Sequence, residues 1–458
     1  MQKPARPAVV GLVLVALLAA VLAAAFALRW IGAKQRADEL LALHGAAQPS
    51  LPRDLGRIED PRPEPTPWLG QLIATRTRWA PTELARATAY GALRARSARG
   101  ELGGEAEDAF RALEACAGAN AASVVQNVLD VIAAHDGLVD PPPCGLEAAR
   151  LLALGTAPLV EVARLAGRYG PIDTGVAVAA LEGSGGTLPT LPVIEAIAVS
   201  DALEIEALRA LWSDQPELVP DLLRAQRDVA RIFEGAQMLV GGVATALADQ
   251  RLLGMLELAL PRLPRETDLG WLESELERLR PRARMSIAAS GERAFGNRFF
   301  ELMRGGASTS GVHSRSALPT TLTISYDQAV HLRAWRARID RLGVPAFRRA
   351  PLEGPGWLDA QLAPISTGLS AATDNVIAIV DVLEARLVLG RIALVAFRSD
   401  AQQLLEFVGK TSDPFDGKPI RTGFAEGGLV LIWSVGTDGI DDGGSDDERD
   451  LVWRFRPR

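Results

Sequence analysis

An uncharged run of 21 residues, "AVVGLVLVALLAAVLAAAFAL" from Ala8 to Leu28, constrains this chain more than any other feature. As a helix the run would be about 30 Å long, which matches the hydrocarbon core of a bilayer. It therefore predicts a transmembrane helix near the N-terminus. The later apolar stretch 376–397 is not a second span, because charged residues such as Asp381 and Glu384 interrupt it.

The orientation of this predicted anchor is not fixed by charge, because basic residues flank it on both sides. They are Lys3 and Arg6 before the run, and Arg29, Lys34 and Arg36 after it. We expect the short flank 1–7 to stay in the cytoplasm and the bulk of the chain to lie outside the cytoplasmic membrane. A cleavable signal peptide is the competing interpretation, since "AFA" at 25–27 fits a cleavage site, but the run exceeds the usual ~7–15 residue core.

The composition narrows the classes of partner and chemistry. A formal net charge of −7, without a dense basic stripe, argues against nucleic acid, because phosphate binding needs clustered cations. Two cysteines and four scattered histidines do not make a zinc site. Cys116 and Cys144 lie on either side of a predicted helix, and outside the cytoplasm a disulfide between them is one of two open alternatives.

Helices dominate the middle of the sequence. Residues 29–68 read as a juxtamembrane helix and a proline-rich linker. Residues 69–303 carry alanine- and leucine-rich segments of helical period with short breaks, among them 146–154, 159–168, 174–181 and 218–247. The fold class predicted is mainly α: an irregular α-solenoid or helical bundle after the N-terminal transmembrane helix. A small antiparallel β-sheet, packed on a long helix over 370–407, is predicted within the α+β region 326–458.

Two segments hold residue types used in catalysis or phosphate binding. The small-residue loop 304–325 contains Ser308 and His313, which would suit a hydrolase, although adjacency in sequence is not triad geometry and a flexible loop is favoured. "VGKTSD" at 408–413 ends like a phosphate-binding loop, but Leu404 stands where that motif requires glycine. The sequence therefore favours a structural or interaction protein over an enzyme.

The C-terminal region alternates apolar strands with a turn rich in aspartate and glycine. "IRTGFA", "GLVLIWSVG" and "DLVWRF" have the composition of strands, and "TDGIDDGGSDDER" separates the last two. Several aspartates folded close together repel one another unless a cation neutralises them, and calcium takes six to eight oxygen ligands. A solvated acidic loop is the alternative, and these residues alone leave the two equal.

The stretch "DPFDGKP…GLVLIWSVGTDGIDDGG…DL" resembles the C-terminal calcium-binding loop of the type II secretion major pseudopilin, over about 45 of the 458 residues. The resemblance implies calcium bound by the backbone carbonyl of Val435 and by Asp438, with Asp450 as the closing ligand. Asp441 and Asp442, with Asp446 and Asp447, fall in the variable middle of that loop. Some of Asp441, Asp442 and Asp450 would complete the shell of ligands.

The start of the chain departs from the pseudopilin pattern, because Gly11 is followed by "LVLVALL" without the glutamate that pseudopilins carry there. The helical middle, including "GAQMLVGGVATALADQRLLGMLELAL", resembles uncharacterised membrane-anchored helical proteins of planctomycetes and myxobacteria. The expected function is a membrane-anchored, envelope- or secretion-associated interaction protein with a calcium-stabilised loop. A protein partner would bind its helical domain, and an extracytoplasmic hydrolase using the Ser308–His313 loop is the alternative.

Overall fold

A computed structural model provides the structure of the chain. It describes residues 6–46, 48–49, 62–79, 89–134, 140–172, 192–304, 320–350, 359, 362–363, 366, 374–399, 401–425, 429–445 and 450–455. Side chains of the first helix are described from Ala20 onward.

Helices form most of the described chain. The first eight are α1 (Arg6–Gly45), α2 (Thr66–Trp79), α3 (Ala89–Ala98), α4 (Gly104–Ala117), α5 (Ala121–Ala134), α6 (Gly145–Leu165), α7 (Val193–Trp212) and α8 (Val219–Glu234). The following six are α9 (Leu239–Ala259), α10 (Gly270–Arg278), α11 (Pro281–Arg304), α12 (Thr320–Leu342), α13 (Asp374–Arg398) and α14 (Ala401–Lys410). The strands are β1 (Arg421–Ala425), β2 (Leu429–Ser434) and β3 (Leu451–Phe455). The prediction of a mainly helical fold with a small antiparallel sheet is confirmed.

Helix α9 lies at the centre of the helical body and contacts α7, α8, α11 and α13. Its leucines and alanines are buried around the whole circumference, as expected for a helix without a polar face. Glycine allows α9 and α11 to approach closely, because a Cβ at Gly242 would come within 2.8 Å of the Ala288 methyl group on α11. Close packing of this kind gives α9 partners on every side.

Helix α1 is fastened to the body along its second half. A Cβ at Gly32 would lie 2.7 Å from the backbone nitrogen of Tyr326, so α1 and α12 meet at backbone contact distance. Farther along, Glu39 pairs with Arg336 of α12 at 2.9 Å, and Leu43 is buried. Arg293 of α11 then donates to the side chain of Gln48 at 2.8 Å. The chain that leaves α1 is therefore held against α11.

Within the part of the chain that the structure describes, none of the helices combines the length and apolar character needed to cross a bilayer. The side chains of the predicted span from Ala8 to Ala19 lie outside the described residues, and those from Ala20 to Leu28 are described. The transmembrane anchor stays a prediction.

The sheet is a three-stranded antiparallel meander in the order β1-β2-β3. Arg421 faces Trp433 at one end of the first pair of strands, and Ser434 faces Leu451 in the second pair. Trp453 of β3 is buried and packs on α13 at Gly390, where an added Cβ would approach the indole ring to 3.2 Å. The sheet therefore rests on the helical body through α13.

Several predicted helix boundaries were wrong. The single helix predicted over 370–407 is two helices, α13 and α14. The polar Ser399, a residue type common at helix ends, follows α13 and interrupts the apolar pattern. The segment 218–247 is likewise divided between α8 and α9. Gly235 separates them, and a Cβ there would come within 2.4 Å of the carbonyl oxygen of Ile172.

Other boundaries changed by merging or extension. The segments predicted at 146–154 and 159–168 merge into α6, which contains Pro158. Helix α12 begins at Thr320, inside the predicted flexible loop 304–325, and α2 begins at Thr66, inside the predicted linker. The helix predicted at 174–181 lies outside the described residues.

Substituting Gly291 tests the closest helix contact. A Cβ at Gly291 of α11 would lie 1.6 Å from the carbonyl oxygen of Gln237, which is a backbone atom and cannot move aside alone. We expect Gly291→Ala to lower the free energy of unfolding by about 3 kcal/mol, as overpacking does. Urea denaturation followed by circular dichroism measures this change.

Gly70→Ala is the matched control, because Gly70 lies in α2 and an added Cβ there meets nothing within 4 Å. It should stabilise by roughly 0.5–1 kcal/mol, the ordinary effect of replacing glycine in a helix. Equal effects of the two substitutions would contradict the packing of α11 against the α8–α9 connection.

Candidate functional site

The turn that precedes β1 is organised by one buried carboxylate, that of Asp413. Its Oδ1 accepts hydrogen bonds from the backbone N–H of Phe415 at 2.9 Å and the hydroxyl of Ser434 at 2.8 Å. Its Oδ2 accepts from the N–H of Val435 at 3.0 Å and from Arg421 at 2.7 Å. Four donors from three parts of the chain thus satisfy both oxygens and join the turn to the end of β2.

Arg421 connects this buried carboxylate to the acidic turn between β2 and β3. Besides Asp413, its guanidinium donates to Asp416 and to Asp441, the latter at 3.4 Å. Asp441 also accepts from the indole nitrogen of Trp433 at 2.9 Å, and this hydrogen bond is the main reason that its pKa lies below the usual range. The start of the acidic turn is therefore fixed to the face of the sheet.

Glycine sets the path of the acidic turn. Gly436, Gly439, Gly443 and Gly444 all have positive φ angles, between 65° and 75°, which side chains with a Cβ rarely adopt. Asp438 closes a local turn by accepting from the N–H of Ile440 at 3.1 Å. The glycine-rich composition noted in the sequence is thus required by the backbone.

Asp450 closes the turn at the beginning of β3 and is 8% exposed. Its Oδ2 accepts from the backbone N–H groups of Asp442 at 3.1 Å and Gly444 at 2.9 Å. Its Oδ1 is buried and has no hydrogen-bond partner in the described part of the chain. Burial, followed by the neighbouring charges of Asp441 and Asp442, raises the pKa of Asp450 above its usual value.

Asp450 differs from the other buried carboxylates of the described chain in the partners of its carboxyl group. The buried acidic residues of the described chain are Glu204, Asp249, Glu275, Asp327, Asp381, Asp413 and Asp450. Five of these seven have an arginine nitrogen within 3.3 Å. Asp327 instead bonds to the hydroxyl and the N–H of Ser366. Asp450 is the one of the seven with neither an arginine nor a side-chain donor among the described residues. Oδ1 of Asp249 also lacks a hydrogen bond there, but Arg227 lies 3.8 Å from it.

The structure brings together some of the residues predicted to bind calcium. Asp441 and Asp442 are close enough to Asp450 for their charges to act on its carboxyl group. Val435 is buried and its N–H is used by Asp413, while Asp438 is exposed. Asp446 and Asp447 lie outside the described residues.

The described residues of this turn do not make a complete set of ligands for a metal ion. Among the described residues, no three histidine, cysteine or acidic side chains lie close enough together to hold one metal ion. Oδ1 of Asp450 is the oxygen that suits a cation, because it belongs to a carboxylate, is buried and accepts no hydrogen bond from the described residues. The calcium site therefore stays a prediction, centred on Asp450.

The other candidates of the sequence have different outcomes. Ser308 and His313 lie outside the described residues, so the hydrolase alternative is untested. Gly409 and Lys410 belong to the last turn of α14, and Thr411 donates to the carbonyl of Phe407, as in a helix end. His331 is buried between Phe300 and Trp335, and burial lowers its pKa to about 4, so it is a neutral core residue.

Sequence reasoning gave no role to Asp413 or Arg421. The signal was present, because an aspartate before proline followed by Asp-Gly marks a tight turn. Arg421, eight residues later, is a charged residue at the start of a strand, and the burial of apolar side chains does not explain its position. Only the fold shows that Ser434 and Val435 come back to the same carboxylate.

Comparisons with protein-family models, curated proteins and solved structures gave no match for this chain.

Removing the charge of Asp413 tests its organising role. We expect Asp413→Asn to lower the free energy of unfolding by about 3–5 kcal/mol, because Arg421 loses its buried partner and one oxygen becomes a donor facing other donors. Denaturant unfolding of the full chain measures the loss, and hydrogen exchange in β1 and β2 locates it.

Asp416→Asn is the control, since Asp416 pairs with the same guanidinium but leaves the Asp413 pair intact. Its cost should be about 1 kcal/mol. If Asp413→Asn costs no more than Asp416→Asn, the buried carboxylate does not organise the sheet.

Proposed function

We propose that this chain is a single-pass, membrane-anchored interaction protein of the cell envelope, with its helical body and C-terminal sheet outside the cytoplasm. A calcium ion in the acidic turn stabilises the sheet. The helical body binds a protein partner, and the pseudopilin-like loop suggests a partner connected with secretion. The proposal combines the sequence run Ala8–Leu28 with contacts of the described residues.

The observation that carries the calcium part is the buried Oδ1 of Asp450 without a donor. Five of the other six buried carboxylates in the described part of the chain pair with an arginine, and removing such a group from water is costly unless it is paired. Calcium prefers carboxylate oxygens and tolerates irregular ligand geometry. Asp442 and Asp441 adjoin Asp450, and the resemblance adds the carbonyl of Val435 and the carboxylate of Asp438.

A proton is the competitor of the cation at Asp450, because its raised pKa favours the neutral acid. The two are distinguishable by pH. A carboxyl whose folded-state pKa is raised destabilises the fold as the pH increases from its ordinary pKa, about 4, through the raised value. Calcium holds the ionised form, so it removes this loss of stability.

The anchor is supported by the described end of the predicted span and the residue Trp30 that follows it in α1. Val21, Leu22, Phe26 and Trp30 are all at least 60% exposed. Large apolar side chains in a contiguous exposed set mark a surface that another apolar phase covers. Trp30 and the neighbouring Lys34, whose ammonium lies 5.9 Å from the indole ring, suit the boundary between lipid and water.

In this proposal the body lies next to the boundary between lipid and water, and the contacts between α1 and α12 support that position. Gly32 already touches the backbone of Tyr326, only two residues after Trp30. Leu28 packs against the small cluster that includes Tyr326 and Val330. We therefore propose that the body follows the anchor directly, without the linker predicted from the sequence between them, and that its partner binds it close to the bilayer.

A disulfide supports the extracytoplasmic side. Cys116 at the end of α4 and Cys144 at the start of α6 are bonded, with Cα atoms 5.8 Å apart. Such bonds persist in oxidising compartments and are rare in the cytosol. The bond closes a loop around α5, with a sequence separation of 28 residues.

Calcium titration tests the stabilised sheet. At free calcium about one hundred times the dissociation constant, the free energy of unfolding should increase by about 2.7 kcal/mol, and magnesium should not reproduce the effect. In chelator, Asp450→Asn should raise the melting temperature at pH 7, because it removes a buried charge, and it should abolish the calcium response. Scanning calorimetry of the full chain measures both effects.

Asp221→Asn is the control, an exposed aspartate on α8 that should leave the calcium response unchanged. Asp438→Ala should also abolish the response if the pseudopilin-like ligand set applies. A melting temperature indifferent to calcium and chelator in the unaltered protein would leave a solvated acidic loop.

Topology is tested separately. A phosphatase that is active only outside the cytoplasm, fused after Arg458, should be active, and the same fusion lacking residues 8–28 should be inactive. Alkylation of the isolated membrane protein should modify Cys116 and Cys144 only after reduction. A fusion active without residues 8–28, or two free thiols before reduction, would contradict the proposed side of the membrane.

A further inference from the structure

A cavity of about 280 Å³ lies inside the helical body, between α3, α5, α6 and α7. It is separate from the C-terminal turn and from α1. Most of its wall is apolar: Ala92, Leu93, Leu129, Ile132, Leu152 and Ile205. Ala133 of α5 lies at the rim and is exposed to solvent, so the cavity opens to the surface.

The volume and the apolar wall favour an organic occupant over water. An engineered apolar cavity of roughly 150 Å³ stays dry and binds benzene, because water in it finds too few hydrogen bonds. The cavity here has nearly twice that volume. It therefore suits a molecule of about eight to ten carbon atoms, and binding sites of this kind are mostly apolar with a few polar groups that fix orientation.

The polar residues that line the cavity are Arg96, Thr156, Asp201 and Arg251. Arg251 pairs with Asp201 at 3.0 Å and with the buried Glu204 at 2.9 Å. Thr156 Oγ1 donates to the carbonyl of Leu152 at 3.1 Å, which leaves the lone pairs of its oxygen as acceptors. The occupant's polar end is therefore expected to face Arg251 and Asp201.

The positive and negative charges of the side chains around the cavity balance. Arg96 is buried, donates to the carbonyl of Gly155 at 3.1 Å and pairs with Glu101 at 3.3 Å. Arg251 already has two carboxylates. A carboxylate on the occupant would be repelled by Asp201 and Glu204, and an ammonium would be repelled by the two arginines. A hydroxyl group can donate to a carboxylate and accept from a guanidinium.

We propose that this cavity binds an uncharged aliphatic alcohol of about eight to ten carbon atoms, with its chain among Leu93, Ile132 and Ile205 and its hydroxyl between Asp201 and Arg251. The inference is independent of the calcium turn and of the anchor. It assigns the helical body a small-molecule site in addition to a protein partner.

Three probes of equal chain length test the site: 1-octanol, octanoate and octylamine. Each is titrated calorimetrically into the full chain in lipid nanodiscs, with empty nanodiscs subtracted. We expect saturable binding of 1-octanol at one site, and at least about tenfold weaker binding of the two charged probes. Ala133→Phe should weaken 1-octanol binding about tenfold by placing a ring in the cavity, and because Ala133 is exposed the variant should fold.

Ala134→Phe is the matched control, because Ala134 is the next residue of α5, is exposed and does not line the cavity. It should bind 1-octanol like the unaltered chain. Heat equal to that of empty nanodiscs, or equal binding by the Ala133→Phe and unaltered proteins, would show that the cavity is not the site. Octanoate or octylamine binding as tightly as 1-octanol would overturn the assignment of an uncharged ligand.

Discussion

Buried carboxylates paired with arginine hold together the parts of this chain that apolar packing alone does not orient. Arg227 of α8 pairs with Glu275 of α10, Arg251 of α9 with Glu204 of α7, and Arg421 with Asp413 at the sheet. Each pair joins two elements, and losing one partner would strand a charge away from water. The helical core fixes which elements meet, and these pairs fix how they meet. Asp450 has no arginine partner among the described residues, and the proposed calcium ion would take that place.

The sequence predicted what depends on local pattern. Helical periodicity identified the α-rich body, and alternation of apolar residues identified the three strands, including β1, whose register with β2 begins at Arg421. It failed where contacts between distant residues decide the structure. Glycine is a local signal for the break at Gly235, but the close approach of the Ile172 carbonyl, which leaves no room for a Cβ there, is not readable from the sequence.

The candidate site divides in the same way. The acidic, glycine-rich turn was visible from composition, and the positive φ angles of Gly439 and Gly443 account for its glycines. The role of Asp413 was not visible, because its donors lie up to 22 residues away and converge only when β2 forms. The cavity also escaped sequence reasoning, since its wall residues have the same composition as the core around them.

The central claim is that a calcium ion binds Oδ1 of Asp450. A crystal structure of the full chain grown with calcium at pH 7 tests it most directly. We predict anomalous density at the turn with a calcium–oxygen distance of about 2.3–2.6 Å to Oδ1 of Asp450 and further oxygen ligands from the same turn. An Oδ1 bonded instead to a protein donor or to water, with no anomalous density at the turn, would contradict the claim.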